Sequence, residues 1–209
     1  MPSPTPAPLT VGFDLDMTLV DSRPGIAATF RALTAETGVH VDAELAVSRL
    51  GPPLRTELAH WFPPERMDAA VTAYRRLYPT YAITPTLPMP GAREALDAVR
   101  AHGGRVLVVT AKHGRLARLH LDHLGLTADE VAGDLFAEEK AVALKEHGAT
   151  HYVGDHTADM TAARTAGVPG IAVATGPCPA DDLRAAGAEL VLDDLTGFPA
   201  AIGRWIRLA

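Results

Sequence analysis

The stretch Val11-Gly12-Phe13-Asp14-Leu15-Asp16-Met17-Thr18-Leu19-Val20-Asp21-Ser22 decides the fold that we predict for this chain. The apolar run from Leu9 to Leu15 is typical of a buried strand, and it carries two carboxylates, Asp14 and Asp16, near its C-terminal end. In an open α/β sheet, that end of the strands is where ligands bind. Two carboxylates so close together repel each other unless a cation or a shared proton intervenes, and hard divalent cations prefer carboxylate oxygens. The stretch therefore predicts a strand that ends in a divalent-metal site.

The composition is that of a globular cytoplasmic protein. The 209 residues, 47% of them hydrophobic, suffice for one substantial domain and a smaller insert. The formal charge of −6 argues against nucleic acid as a partner. The single cysteine, Cys178, excludes an internal disulfide framework and suits a reducing compartment. No run of about 20 apolar residues is present to span a membrane. We expect a cytoplasmic protein, either a monomer or a homodimer, with no membrane partner.

The pattern of apolar residues changes along the chain and predicts two structural parts. Segments with helix-like spacing and no strand pattern fill residues 22–84, which we interpret as an all-helical cap. From Gly91 onward, helices alternate with strands, which indicates βαβ units and a parallel sheet, and the last helix is predicted from Thr196 to Leu208. The predicted fold class is α/β, with a Rossmann-like parallel sheet formed by residues 9–21 and 85–209. Residues 1–8, which carry four prolines and no signal-peptide pattern, are expected to be a disordered tail.

Polar residues suited to phosphoryl transfer follow three more apolar segments. Thr110 ends a strand, and its hydroxyl and the backbone N–H of Ala111 are groups that hold phosphate oxygens, although a threonine here also serves as a helix N-cap. Lys140 opens a helix, where a solvated surface lysine is the simpler interpretation. Asp155 ends another strand, and Asp159 follows in the first turn of a helix, a place that an acid also favours because of the helix dipole.

In this order, the segments resemble the four motifs of the haloacid-dehalogenase-like (HAD) superfamily in its phosphatase form. Asp14-Leu15-Asp16-Met17-Thr18 is similar to the first motif, Asp-x-Asp-Gly-Thr, with Met17 where glycine is usual. Thr110 and Lys140 stand at the second and third motifs, and Ala141 follows Lys140 where many relatives have proline. The segment from Gly154 to Asp159 is similar to the fourth motif, Gly-Asp-x-x-x-Asp.

The resemblance implies a Mg²⁺-dependent phosphatase of small phosphomonoesters in the phosphoglycolate-phosphatase-like branch, with a helical cap of the C1 type. It implies that Asp14 attacks phosphorus to give an aspartyl-phosphate and that Asp16 serves as general acid and base. It places the metal on Asp14, the backbone carbonyl of Asp16, and Asp155, with Asp159 orienting its surroundings. The substrate-binding residues it implies are Thr110, Ala111 and Lys140 for the phosphoryl oxygens, and Arg55 of the segment Gly51-Pro52-Pro53-Leu54-Arg55 for the rest of the substrate.

Other interpretations stay open at this point. A phosphomutase of the β-phosphoglucomutase type shares the nucleophile. A phospho-acceptor domain of the response-regulator kind combines similar residues on a parallel sheet, and a family member retained only for binding would also fit Met17. Because Asp16 is present, a dehalogenase is disfavoured. We expect His120 to have a surface or partly buried role, and Tyr74 and Tyr78 to pack the cap helices rather than to stack on a base.

Overall fold

The structure, a computed structural model, describes residues 8–205. Its strands are Thr10–Phe13 (β1), Val20–Asp21 (β2), Leu87–Pro88 (β3), Arg105–Val109 (β4), Glu130–Ala132 (β5), His151–Gly154 (β6), Gly170–Val173 (β7) and Leu190–Leu192 (β8). Its α-helices are Arg23–Thr37 (α1), Ala43–Ser48 (α2), Leu54–Leu58 (α3), Met67–Tyr81 (α4), Ala92–Ala101 (α5), Gly114–Leu124 (α6), Glu138–Glu146 (α7), Thr157–Ala166 (α8), Ala180–Ala185 (α9) and Phe198–Trp205 (α10). Short 3₁₀ turns lie at Pro64–Arg66 and Leu195–Gly197.

A six-stranded parallel sheet in the order β5-β4-β1-β6-β7-β8 forms the larger part of the molecule. Strand β1 lies near the centre, and Phe13 is in register with Val108 of β4 and Val153 of β6. The side chains alternate between two apolar layers, as a strand buried on both faces requires. Val11 and Phe13 pack with residues of α5, α6 and α10, whereas Leu107 and Tyr152 pack with residues of α7 and α8. The carboxyl ends of β4, β1 and β6 therefore meet at one edge.

Helices α1–α4, which we call the cap helices, share an apolar cluster of their own. Phe30 of α1 packs against Tyr74 of α4, with ring centroids 4.8 Å apart. The chain enters and leaves these helices through β2 and β3, which pair antiparallel. The first turn of α1 approaches the end of α4 so closely that a Cβ on Gly25 would lie 2.3 Å from the carbonyl oxygen of Ala82. Only glycine fits at this contact.

The fold class agrees with the prediction, whereas the ends of several strands and helices differ from it. The α/β class with a Rossmann-like parallel sheet and a helical cap is confirmed. The first strand is shorter than Leu9–Leu15, because the chain turns after Asp14 and the N–H groups of Leu19 and Val20 bond to the carbonyl of Leu15. The pair β2–β3 was not predicted, since two-residue strands are too short to show alternation.

Two of the predicted segments extend beyond the part of the chain that the structure describes. The tail at residues 1–8 falls almost wholly outside the described residues. The last helix begins at Phe198 rather than Thr196 and is described as far as Trp205. The division into a cap at residues 22–84 and a core at 9–21 and 85–209 stays a prediction.

Candidate active site

Polar residues end the three central strands at the carboxyl edge of the sheet. Asp14 follows β1, Thr110 follows β4 and Asp155 follows β6, and these strands are direct neighbours. The backbone N–H of Asp14 donates to the carbonyl of Val153 (2.8 Å), so the pairing of β1 with β6 continues to the point where the carboxylates begin. None of the three polar residues is more than 8% exposed, and a charge on Asp14 or Asp155 is therefore shielded from bulk water.

Lys140, at the start of α7, is buried and joins two of the carboxylates. Its Nζ donates to Asp14 Oδ1 (2.7 Å), to Asp159 Oδ1 (2.7 Å) and to the hydroxyl of Tyr152 (3.0 Å). Burial alone would lower the pKa of Lys140, but the charges of Asp14 and Asp159 outweigh it and raise that pKa well above 10.5. The Asp159 carboxylate is engaged on both oxygens, because its Oδ2 accepts from the backbone N–H of His156 (3.1 Å). Lys140 is therefore a fixed cation beside Asp14.

Three buried carboxylates lie close enough together to bind one cation. Oxygen atoms of Asp14, Asp155 and Asp159 all lie within 4.8 Å of one another. Burial raises the pKa of Asp14 from 3.8 to about 7; the charge of Lys140 opposes this rise, and those of Asp159 and Asp16 add to it. Burial and the charge of Asp14 also raise the pKa of Asp155. A bound cation would relieve this repulsion, and the donor set therefore fits a hard divalent metal.

The surroundings of Asp155 hold its carboxylate in a fixed orientation. Its Oδ1 accepts a hydrogen bond from the Thr18 hydroxyl (2.8 Å), which ties it to the turn after β1. Its Oδ2 lies against Gly176, where a Cβ would be only 1.8 Å away. Asp155 Oδ2 therefore fits at this position only because Gly176 has no side chain.

Asp16 is anchored through a single oxygen. Its Oδ1 accepts from the Ser22 hydroxyl and lies 2.8 Å from Lys112 Nζ, whereas its Oδ2 receives no hydrogen bond from residues 8–205. Burial would raise the pKa of Asp16, but the charge of Lys112 and the hydrogen bonds from Lys112 and Ser22 outweigh it and hold that pKa below 3.8. The carboxylate is therefore fixed at one oxygen and available at the other.

A buried chain of hydrogen bonds leads from Asp16 away from the sheet and into the cap helices. Lys112 Nζ also donates to the hydroxyl of Tyr78 in α4 (2.6 Å), and that hydroxyl lies 2.9 Å from His120 Nε2 in α6. An ammonium group can only donate, so the Tyr78 hydroxyl oxygen accepts from Lys112, and the same hydroxyl forms a second hydrogen bond with His120 Nε2. Burial, with the charge of Lys112 next, lowers the pKa of His120 to about 3, in keeping with a neutral ring.

This chain of hydrogen bonds corrects two expectations from the sequence. His120 is 0% exposed, so the expected surface or partly buried role is wrong. Tyr78 packs the cap helices as predicted, but its hydroxyl also contacts a lysine beside the carboxylates, which the sequence did not indicate. The position of Lys112, two residues after Thr110, was the only available signal, and its backbone N–H bonds to the Thr110 hydroxyl (3.2 Å).

A cavity of about 330 Å³ lies between these residues and the cap helices. Asp14, Asp16, Thr110 and Ala111, four of the predicted site residues, line its floor. Arg55 also lines the cavity, but its guanidinium pairs with Asp68 and its side chain is 60% exposed. The structure thus brings Arg55 to the rim of the cavity and leaves it away from the buried carboxylates.

The sequence matches the family model described as haloacid dehalogenase-like hydrolase over residues 11–164, which include all four motifs. A second HAD hydrolase-like model matches residues 135–198. The chain belongs to the haloacid dehalogenase-like hydrolase family. It is 34% identical to a phosphoglycolate phosphatase from Xylella fastidiosa over 197 residues, which cover 84% of each chain. It is 30% identical to a probable phosphatase IndB from Dickeya dadantii over 97% of this chain and 96% of the relative.

Solved structures agree with this placement in the HAD-like family. A haloacid dehalogenase-like hydrolase from Streptococcus pneumoniae is 25% identical, with a TM-score of 0.79 over 95% of this chain and 98% of that one. A predicted phosphatase from Clostridium acetobutylicum, 23% identical, shares the fold with a TM-score of 0.81 over 94% of this chain and 98% of that one. The family and the prediction of an enzyme, a hydrolase of the HAD phosphatase type, are confirmed. Among residues 8–205, no helix is both long and apolar enough to cross a membrane.

Proposed function

We propose that this HAD-like hydrolase is a Mg²⁺-dependent phosphatase that cleaves small phosphomonoesters through an aspartyl-phosphate on Asp14. The observation that carries the proposal is the position of Asp14. Its carboxylate is buried at the end of β1, bonded to Lys140 (2.7 Å), close to Asp155 and open to the cavity beneath the cap helices. A carboxylate held beside a fixed cation and a metal-binding carboxylate is suited to attack an anionic phosphoryl group.

Each of the carboxylates near β1 has one oxygen held and one available for chemistry. Asp14 Oδ1 accepts from Lys140, so Oδ2 would attack phosphorus in line, forming a bond to phosphorus as the ester P–O bond breaks. Asp16 is ionised in the free site because Lys112 and Ser22 lower its pKa, so Oδ2 would take up a proton as the anionic substrate binds and would then give it to the leaving alcohol oxygen. Asp16 would then take a proton from the water that attacks the aspartyl-phosphate, which releases inorganic phosphate and restores Asp14.

Other residues would hold the phosphoryl oxygens without changing their own bonds. The Thr110 hydroxyl accepts from the backbone N–H of Lys112, so its hydrogen is free to donate to a phosphoryl oxygen. The backbone N–H of Ala111 is a further donor. The three hydrogens of the Lys140 ammonium already go to Asp14, Asp159 and Tyr152, so Lys140 would attract the phosphoryl oxygens through its charge. Arg55, at the cavity rim, would reach the rest of the substrate only by leaving Asp68.

The residues present fit Mg²⁺, which when bound would neutralise charge on the phosphoryl oxygens. Asp14, Asp155 and the backbone carbonyl of Asp16 would hold it. We assign Asp159, which was also predicted to serve the metal, to positioning Lys140, because both of its oxygens already accept hydrogen bonds from protein groups. Asp159 would therefore act on the phosphoryl site through the lysine.

The names of the relatives support a small phosphorylated metabolite as substrate, and phosphoglycolate belongs in the panel of small phosphate esters to be tested. A cytoplasmic location and a monomeric or homodimeric state stay predictions.

Hydrolysis of p-nitrophenyl phosphate tests the proposal directly. We expect turnover with Mg²⁺, none with a chelator, and none for Asp14→Asn, while Asp122→Asn, at an exposed position on α6, keeps full activity. Trapping of the phosphorylated protein with labelled substrate should depend on Asp14 in the same way. A folded, Mg²⁺-binding protein that hydrolyses neither this ester nor a panel of small phosphate esters would overturn the proposal. Transfer of labelled phosphate between positions of a sugar, without release, would indicate a mutase instead.

A further inference from the structure

The wall of the cavity above Asp14 differs in polarity from the floor. At about 330 Å³ it lies at the lower end of the range for pockets that take small organic ligands, about 300–1,000 Å³. Beyond the carboxylates, apolar side chains form much of its wall: Ile26 and Phe30 of α1, Leu54 of α3, Val71 of α4 and Leu116 of α6. A phosphoryl group at the floor would therefore have its organic body directed into a mostly apolar space.

The charged residues of the wall are already paired. Four cations and four carboxylates line the cavity, so their formal charges cancel. Arg49 makes two hydrogen bonds to Glu57 (3.0 and 2.5 Å), and the indole N–H of Trp61 holds the same carboxylate (3.0 Å). Arg75 pairs with Asp134 (2.9 Å).

The two remaining cations of the lining are also paired with acids. Lys112 pairs with Asp16 (2.8 Å), and Arg55 pairs with Asp68. A second negative charge deep in the cavity would have to displace the carboxylate of a shielded pair, Arg49–Glu57 or Lys112–Asp16, or lie unpaired against the apolar wall. The pairs Arg55–Asp68 and Arg75–Asp134 are exposed to solvent, and displacing Asp68 or Asp134 would cost little.

We infer that the substrate of this enzyme is a phosphomonoester whose alcohol part is uncharged and largely hydrocarbon, rather than a carboxylate-bearing ester such as phosphoglycolate. The inference rests on the proposed phosphatase function, and it narrows the substrate class of that same site. The apolar wall would bind the body by excluding water, and the phosphoryl group alone would carry the charge that Lys140 and the metal recognise.

Two esters of the same shape separate the inference from the proposed function. The body of 4-methylpentyl phosphate matches that of 4-phosphonooxybutanoate, with two methyl groups in place of the two carboxylate oxygens. We expect kcat/KM for the methyl compound to be at least about tenfold higher, the range that apolar pockets give for small changes in a ligand. We expect kcat/KM for phosphoglycolate to be as low as that for 4-phosphonooxybutanoate.

A variant with an added cation in the cavity wall tests the same explanation, because the added charge should favour the carboxylate-bearing ester. Val71→Arg places an unpaired guanidinium in the wall and should shift the ratio of kcat/KM values at least about tenfold toward 4-phosphonooxybutanoate. Thr72→Arg, which adds the same charge at an exposed position of the same helix outside the cavity, should leave the ratio unchanged.

The outcomes of the substrate comparison are distinct. Equal values for the two esters in the unmodified protein, or a preference for either carboxylate ester, would overturn the inference while leaving the phosphatase function in place. Hydrolysis of none of the three esters by protein that turns over p-nitrophenyl phosphate would overturn the inference alone, whereas no hydrolysis of p-nitrophenyl phosphate either would remove the proposed function as well. Since the comparison is made on the unmodified protein, it holds even if Val71→Arg does not fold.

Discussion

The hydroxyl of Tyr78 offers a sharp test of how the cap helices support the chemistry at Asp16. Tyr78→Phe removes two buried hydrogen bonds, the one from Lys112 Nζ (2.6 Å) and the one with His120 Nε2 (2.9 Å), and keeps the ring. Because one of these bonds involves a buried cation, we expect the free energy of unfolding to fall by about 2–4 kcal/mol. Lys112 would also lose one of the two groups that fix it beside Asp16.

The effect on catalysis depends on how much help the leaving group needs. We expect kcat/KM for an alkyl phosphate to fall about tenfold to a hundredfold, part of the 10²–10⁴-fold that a well-placed general acid contributes. For p-nitrophenyl phosphate, whose phenolate leaves readily without a proton, we expect a fall of less than about threefold. Steady-state rates with both esters, measured on protein shown to be folded, give the two numbers.

Tyr74→Phe is the matched control for this experiment. Tyr74 lies one turn earlier on α4, is also buried, and contacts Tyr78 through its ring (5.5 Å between centroids), but its hydroxyl makes no hydrogen bond to Lys112. We expect Tyr74→Phe to change kcat/KM for the alkyl phosphate and for p-nitrophenyl phosphate by the same factor. If Tyr78→Phe lowers kcat/KM for the two esters by the same factor, or lowers neither value, then Lys112 and Tyr78 do not position Asp16 for proton transfer, and the reasoning is refuted.

Three further predictions concern the metal site and the turn after β1. Burial raises the pKa of Asp14 to about 7, so the free energy of unfolding falls progressively between the ordinary pKa of about 3.9 and pH 7, and the full loss is present above pH 7. In a chelator, Asp14→Asn should therefore raise the free energy of unfolding by about 1–3 kcal/mol at pH 8 and by little at pH 4.5, and an equal effect at both pH values would contradict this. Gly176→Ala puts a Cβ onto Asp155 Oδ2 and should weaken Mg²⁺ binding at least about tenfold by calorimetry, whereas unchanged affinity would remove Asp155 from the metal site. Met17→Gly and Met17→Ala should both lower the free energy of unfolding measured in urea. The alanine variant should be less stable than the glycine variant by about 1 kcal/mol, because glycine adopts the φ of 61° found at Met17 without strain. The reverse order of stability would show that the position is unstrained.

The main parts of the site could be predicted from the sequence because each lies at the end of a strand with a strong apolar pattern. Asp14, Thr110 and Asp155 each follow a run of residues that a parallel sheet buries on both faces, and neighbouring parallel strands place their carboxyl ends together. Local pattern and sheet topology suffice for such residues. Lys140 needed more, since a helical lysine is normally solvated, and it was predicted only through the order of the motifs.

The parts that could not be predicted depend on how the cap helices pack against the sheet. Nothing local in the sequence joins Lys112, Tyr78 and His120, which are up to 42 residues apart and meet only because α4 lies against α6. Arg55 shows the opposite case, where a residue predicted for the substrate pairs with Asp68 on the next helix. Contacts between elements that are far apart in sequence leave no periodic pattern to detect.

Met17 shows how a departure from a family pattern can be compatible with the same geometry. Its φ of 61° explains why glycine is usual at this position, since a side chain there is strained by about 1–3 kcal/mol. The Met17 side chain is 2% exposed and packs into the apolar cluster of the sheet, and burying a methionine contributes about 1.5–3 kcal/mol, which offsets the strain. The backbone is held as well, because the Met17 N–H donates to the carbonyl of Val20 (2.8 Å) and its carbonyl accepts from the Thr175 hydroxyl (2.5 Å). The turn that carries Asp14 and Asp16 toward the cavity is therefore kept by packing rather than by a glycine. For this reason the substitution gives no argument that the chain has been retained only for binding.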